Sequence, residues 1–77
     1  MHVQIRLFGD LRRFLRETDG RLTVELGEGA TVKDLLKGVK VPETEVGLVS
    51  VNGKLAPEET ALRDGDAVDA FSPIGGG

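Results

Sequence analysis

Cysteine is absent from all 77 residues, as are tryptophan and tyrosine. A chain without thiols has no disulfide framework, no thiolate nucleophile and no thiolate metal site, so any sulfur chemistry has to use sulfur brought from elsewhere. Histidine is nearly absent too. The lone His2 cannot build a multi-histidine metal site, and a Ser/His/Asp triad would have to recruit it with Ser50 or Ser72, which nothing in the sequence favours. No apolar run approaches the roughly 20 residues of a membrane span, and no early run has the length of a signal peptide. The expectation is a soluble, cytoplasmic protein with no membrane association. An excess of positive charge is also missing. The formal net charge is -3, which argues against nucleic acid, because phosphate binding needs a basic surface, and leans toward a basic protein partner.

The chain has the length of one small domain, whose core supplies only about 3–5 kcal/mol of net stability and leaves no room for a deep active-site cleft. Val3, Ile5 and Leu7 alternate with His2, Gln4 and Arg6, the period-two pattern of a half-buried strand. Phe8-Gly9-Asp10 breaks it. With Asp10 as N-cap, Leu11, Phe14 and Leu15 fall on one face of a short helix whose Arg12, Arg13 and Arg16 point to solvent. Asp19-Gly20 turns the chain, and Leu22, Val24 and Leu26 alternate with Arg21, Thr23 and Glu25 in a second strand, able to pair antiparallel with the first.

The clearest helix starts at Thr31, where Asp34 completes a capping-box pattern. Val32, Leu35, Leu36 and Val39 recur at i, i+3, i+4 and i+7 as a core-facing stripe, with Lys33, Lys37 and Lys40 off it and Pro42 preventing continuation past Val41. Pro42 to Gly47 reads as a polar connection and Leu48-Val49-Ser50-Val51 as a short buried strand. Asn52-Gly53 is a strong hairpin signal, since both residues tolerate the positive φ of a type I′ turn. Lys54 and Leu55 form a brief return strand that Pro57 stops. Glu58-Glu59-Thr60 is an acidic surface loop, Leu62 plugs the core, and Asp64-Gly65-Asp66 is a tight turn rather than a calcium loop, because the further ligands over a dozen residues are missing.

The final strand, Ala67 to Phe71, leads into the most unusual stretch, Ser72-Pro73-Ile74-Gly75-Gly76-Gly77. Val68 and Ala70 share one face. If Val68 faces the core, Phe71 falls with Asp69 on the other face, exposed or at a rim, directly before the tail. Pro73 cannot donate to a ladder and helps the chain leave the sheet. Residues without Cβ atoms can enter a narrow channel, and Pro73 to Gly77 reach at most roughly 17 Å. A terminal carboxylate carried on such a segment could be delivered into another protein and, once adenylated by ATP, attacked by sulfide, persulfide or an amine. The bland alternative is a frayed glycine-rich end. The expected division is therefore a domain over residues 1–72 and a flexible tail over 73–77.

Four segments carry a resemblance over nearly the whole chain. They are Val3 to Leu15 (VQIRLFGDLRRFL), Val51-Asn52-Gly53, Leu62 to Val68 (LRDGDAV), and Phe71 to Gly77 (FSPIGGG). In their order and in the terminal glycines, the chain resembles the MoaD/ThiS family of ubiquitin-like sulfur carriers, most closely MoaD-type small subunits of molybdopterin synthase. The resemblance implies an α+β fold, the ubiquitin-like β-grasp. A mixed sheet packs on one main helix, with the first and last strands as parallel central neighbours. It implies no bound cofactor and no catalysis by the chain alone. Gly77 is instead adenylated by an E1-like enzyme of the MoeB/ThiF type using ATP and converted to a thiocarboxylate. The tail then enters a MoaE-like large subunit. Carried over by position, Gly77 is the carrier, Gly75 and Gly76 form the tail, and Phe8, Phe71, Pro73 and Ile74 make the approach to the partner. Gly75 departs from the small or polar residue usual before the terminal pair. The same adenylate would serve a ThiS-type carrier for thiazole synthesis or a protein modifier joined to lysine amines, and a carboxylate-ended binding module without chemistry is a further alternative.

Overall fold

A computed structural model of the chain describes residues 1–73. Ile74, Gly75, Gly76 and Gly77 lie outside the described residues, and with them the expected carrier position. Five strands form one sheet in the order β2-β1-β5-β3-β4. They are β1 (His2–Leu7), β2 (Arg21–Glu25), β3 (Leu48–Val51), β4 (Lys54–Leu55) and β5 (Ala67–Phe71). β1 pairs antiparallel with β2 and parallel with β5, while β3 runs antiparallel to both β5 and β4. The first and last strands are thus parallel neighbours at the centre of a mixed sheet, which is the β-grasp arrangement. No helix among the described residues is long and apolar enough to cross a membrane.

One helix, α1 (Val32–Gly38), covers the inner face of the sheet. Thr31 caps it as expected: its Oγ1 accepts from the Asp34 amide at 3.3 Å, and the Asp34 carboxylate accepts from the Thr31 amide at 2.9 Å. The Thr31 amide first, and then its hydroxyl, which donates to the same carboxylate at 3.2 Å, hold the Asp34 carboxyl below the usual carboxylate range. Carbonyls of Glu58 and Thr60 accept from the amides of Lys33 and Val32, so the loop read as an acidic surface also closes the helix N-terminus. Val32, Leu35, Leu36 and Val39 are buried against Val3, Ile5, Leu7, Val68 and Ala70, with Leu11, Val41 and Leu62 closing the rim of the core.

The helix ends at Gly38, with Val39 as its C-cap and Lys40 left-handed at φ 62°, so it does not continue past Val41. Val41, beyond the apolar stripe, is buried as well. Several other expectations are corrected. The segment Gly9–Thr18 is a 3-10 helix interrupted at Leu15, and its N-cap is Phe8 without a side-chain cap bond, so Asp10 lies inside the first turn. Leu11 is its buried anchor, Phe14 and Leu15 pack against the core rim, and Arg12, Arg13 and Arg16 are exposed. The Pro42-to-Gly47 connection contains a short 3-10 turn, Glu43–Glu45. In β3 only Val49 and Ser50 are buried, and Leu48 is 44% exposed. In β2, Leu22 is 37% exposed, because α1 covers the centre of the sheet and does not extend over this edge.

The Asn52-Gly53 hairpin has both turn residues at positive φ, 52° and 86°. Asn52 does more than turn the chain. Its side chain donates to Asp66 and accepts from the Ala67 amide, and its own amide donates to the Ala67 carbonyl. Asp66 also accepts from the Arg63 amide at 2.8 Å, the largest of the effects that hold its carboxyl below the usual range, followed by the Asn52 bond. These contacts tie the β3–β4 turn to the start of β5.

Candidate docking and tail-exit site

The outer face of the sheet carries Arg6, Asp69, Phe71 and Leu48, since residues directly opposite in a ladder share a face. Arg6 and Asp69 form a bidentate pair, Nε to Oδ1 at 2.7 Å and Nη2 to Oδ2 at 2.8 Å. The hydrogen-bonded, opposite charge of Asp69 holds the Arg6 guanidinium more firmly protonated. The same guanidinium lies 5.6 Å from the centroid of the Phe8 ring. Phe8 in turn stacks on Phe71, with centroids 4.8 Å apart and planes inclined by 13°.

Phe71 is therefore half-buried at the rim on the face expected from strand alternation, and Phe8 covers one side of its ring. The stack has a backbone cause as well: the Phe8 amide donates to the Ala70 carbonyl at 3.0 Å, extending the β1–β5 ladder by one residue and setting the two rings side by side. Beyond Phe71, Leu48 sits directly across the ladder, and Leu55, 72% exposed, sits across from Ser50 on the same face. A shallow hollow of about 320 Å³, lined by Val46, Gly47, Leu48, Leu55, Ala56 and Pro57, opens beside them.

Two glycines clasp the chain where it leaves β5. The Gly47 amide donates to the Phe71 carbonyl at 2.7 Å. A Cβ at Gly47 would stand 2.6 Å from the Pro73 Cα, and one at Gly9, whose φ is +62°, would stand 2.6 Å from the Ser72 Oγ. At Gly47 the neighbours are backbone atoms, so a side chain there would displace the exit, whereas at Gly9 a turn of the Ser72 hydroxyl would relieve the contact and the left-handed φ is what favours glycine. The site therefore brings together Phe8, Phe71 and Pro73, three of the residues expected at the partner approach, while Ile74 and the three glycines after it lie outside the described residues.

Sequence reasoning missed Gly9, Gly47, Leu48 and Leu55. Leu48 and Leu55 were legible in principle, since they precede and follow the Asn52-Gly53 turn on strands whose alternation assigns a face. Gly9 and Gly47 were not, because what they contact is far away in sequence.

This arrangement can present an apolar patch beside a chain exit. Among the described residues it contains no cluster of His, Asp or Glu side chains able to hold a metal ion. The fold belongs to the ubiquitin-like β-grasp class. Over residues 1–74 the chain matches the Mut7-C ubiquitin family and belongs to it, among the ubiquitin-like sulfur carriers. Several solved structures are similar, three of them as follows. Small archaeal modifier protein 1 from Haloferax volcanii is 22% identical, with 95% of this chain and 98% of that one covered and a TM-score of 0.75, a likeness of fold. A putative molybdopterin converting factor subunit 1 from Pyrococcus furiosus is 26% identical over 96% of this chain and 99% of that one, with a TM-score of 0.75. The thiamine biosynthesis protein ThiS from Geobacter metallireducens is 27% identical over the full length of both chains, with a TM-score of 0.62.

Proposed function

We propose that this chain is a sulfur carrier acting as the small subunit of a molybdopterin synthase. The observation that carries the reading is the place of the exit: Ser72-Pro73, held close against Gly47, leaves the sheet beside the apolar patch of Phe8, Phe71, Leu48 and Leu55. A partner seated on that patch would lie within the roughly 17 Å that Pro73 to Gly77 can span. The molybdopterin role is preferred over the thiazole role because the segment Leu7 to Leu15 (LFGDLRRFL) and the overall length resemble MoaD-type chains more than ThiS-type ones.

In the proposed chemistry the Gly77 carboxylate attacks the α-phosphorus of ATP on an E1-like enzyme of the MoeB/ThiF type, releasing pyrophosphate. Hydrosulfide then attacks the carbonyl carbon of the acyl-adenylate and displaces AMP, leaving a thiocarboxylate; a protein persulfide would give an acyl disulfide first, from which a second thiol releases the thiocarboxylate as it forms a disulfide. Ile74 and Pro73 line the approach, Gly75 and Gly76 pass the channel, and a MoaE-like large subunit holds the pterin precursor that receives the sulfur.

The test is the intact mass of the protein purified from its own host, with its copurifying partner. A species heavier by the exchange of one oxygen for sulfur, localised to Gly77, is expected. A pterin-binding partner identifies the synthase, a thiazole-forming partner the ThiS-type role, and Gly77 joined to lysines of other proteins the modifier role. One residue added after Gly77 should abolish activation. Failure of an E1-like enzyme with ATP to adenylate the unextended tail would sink the carrier reading altogether.

A further inference from the structure

The two edges of the sheet differ. β4 offers only two residues, Lys54–Leu55, and so little ladder, whereas β2 is a regular edge of five residues, Arg21–Glu25. It has no proline, its register with β1 runs without a bulge, and no charged side chain points to the inner side, so the usual protections of a free edge are missing. The Leu7 amide donates to the Gly20 carbonyl, and Met1 and Leu26 exchange bonds, each at 2.7 Å. Bonded pairs alternate in an antiparallel ladder. Leu22 and Val24 therefore turn their backbone groups toward β1, and Arg21, Thr23 and Glu25 turn theirs to the open side.

We infer that this edge pairs with the same edge of a second copy, antiparallel about a two-fold axis through Thr23. In that register Arg21 faces the partner's Glu25, Leu22 faces the partner's Val24, and Thr23 faces the partner's Thr23. The outward-turned residues become bonded pairs, each exchanging two N–H···O bonds. The side chains agree with the backbone. Arg21 and Glu25 lie on the outer face, opposite Arg6 and His2 of β1, and neither has an ion-pair partner among the described residues. Arg6 is already committed to Asp69, so Arg21 stands beside a like charge that the partner's Glu25 would offset.

On the inner face, exposed Leu22 and half-buried Phe14 and Leu15 border a hollow of about 410 Å³, and the partner's Val24 and Leu22 would extend the apolar surface along it. Other registers fail. A shift by one residue sets outer side chains against inner ones, and a shift by two removes both Arg–Glu pairs.

The product is a closed two-fold dimer with one continuous sheet. Its junction lies at the opposite side of the sheet from β3 and β4, leaving the Phe8–Phe71 patch and the tail exit free on both copies. One strand pair makes a small interface, below roughly 1,200 Å², so the association is weak and reversible.

Sedimentation and amide hydrogen exchange over a concentration series of the full chain test it. Self-association is expected to slow exchange at Arg21, Thr23 and Glu25, while Leu22 and Val24, already bonded to β1, are protected at every concentration. Arg21→Glu and Glu25→Arg should each weaken self-association by about tenfold or more, since each places two like-charge pairs in the dimer. Mixed together, the two variants should associate at least as well as the parent, because each supplies the charges the other needs. Thr23→Pro, at an outward amide that makes no bond in the monomer, should abolish association without unfolding the chain. A chain that stays monomeric up to about 1 mM, or a dimer whose strength ignores both charge variants and their mixture, overturns the inference.

Discussion

On the inner face of the sheet Val3 and Val68 are 1% exposed and Ile5 and Ala70 are fully buried. One residue along the same strands, Arg6, Asp69 and Phe71 turn to the other side and remain partly open to solvent. Both faces are densely connected, but by different physics. Inside, aliphatic side chains interlock with α1, and their contribution follows from area removed from water, about 25 cal/mol per Å². Outside, a bidentate ion pair and a ring stack hold an amphipathic surface that gives little to folding, because an ion pair near solvent is worth roughly 0–1 kcal/mol and an aromatic pair about 0.5–1.5 kcal/mol beyond its buried area. The inner face is built for stability and the outer face leaves an amphipathic surface open, with the strands as a shared scaffold.

The largest effect that could break this contrast is expected inside. Leu36→Ala removes a side chain that is 1% exposed between α1 and the sheet. A loss of about 2–5 kcal/mol is comparable to the roughly 3–5 kcal/mol that a domain of this size has to lose. The variant should be largely unfolded by far-ultraviolet circular dichroism at 25 °C. A cooperative urea transition close to the parent's would mean that stability is not concentrated on the inner face.

Phe71→Glu tests the outer face. It breaks the stack on Phe8 and sets a second carboxylate near Asp69, at a cost of about 1–2 kcal/mol in stability, so the chain should still fold. Affinity for the proposed large subunit should fall by more than tenfold, the scale of losing a partly buried aromatic anchor. Phe71→Leu should recover much of it. Gly47→Ala, which forces Pro73 away from its present path, should also weaken productive docking more than it weakens the fold. Calorimetric titration beside urea denaturation separates the two quantities. Unchanged affinity for Phe71→Glu would return the outer-face ring to an ordinary rim residue.

How far these two faces could be read in advance depends on the range of the interactions that make them. The capping box of Thr31 and Asp34, the Asn52-Gly53 turn and the buried Leu62 are local or nearly so, and local pattern located them. The parallel pairing of β1 with β5 joins residues more than sixty positions apart; no periodicity reports it, and only the family resemblance led to it. Alternation correctly put Phe71 on the outer face. It could not reveal that Phe8, in a segment read as a strand breaker, continues the ladder and lies against it. Alternation likewise assigned Leu22 to a face, and Leu48 was read within a short buried strand, but coverage depends on where a seven-residue helix ends, and both are more exposed than a half-buried or buried strand implies. The expected N-cap at Asp10 failed because Phe8 already adopts the extended cap geometry and the chain enters the 3-10 turn two residues earlier.

The smallest expected effect comes from the loops that join the faces, and it appears only in acid. Asp34 is held low first by the Thr31 amide and Asp66 first by the Arg63 amide, so both carboxyls have folded pKa values below their unfolded ones. A depressed carboxyl contributes stability that is fully present above the unfolded value, about 3.9, and is lost as pH falls through the folded value. Stability should therefore be insensitive to these groups from neutral pH down to about 5, then decline below about 4. Asp66→Asn keeps a side-chain acceptor for the Arg63 amide but cannot titrate. It should be slightly less stable than the parent at pH 7 and lose less of its remaining stability between pH values of about 4 and 2. Urea midpoints across that range would show the two curves converging toward low pH. Parallel curves would mean that the Asn52–Asp66–Arg63 tie holds its geometry without depending on the carboxylate charge.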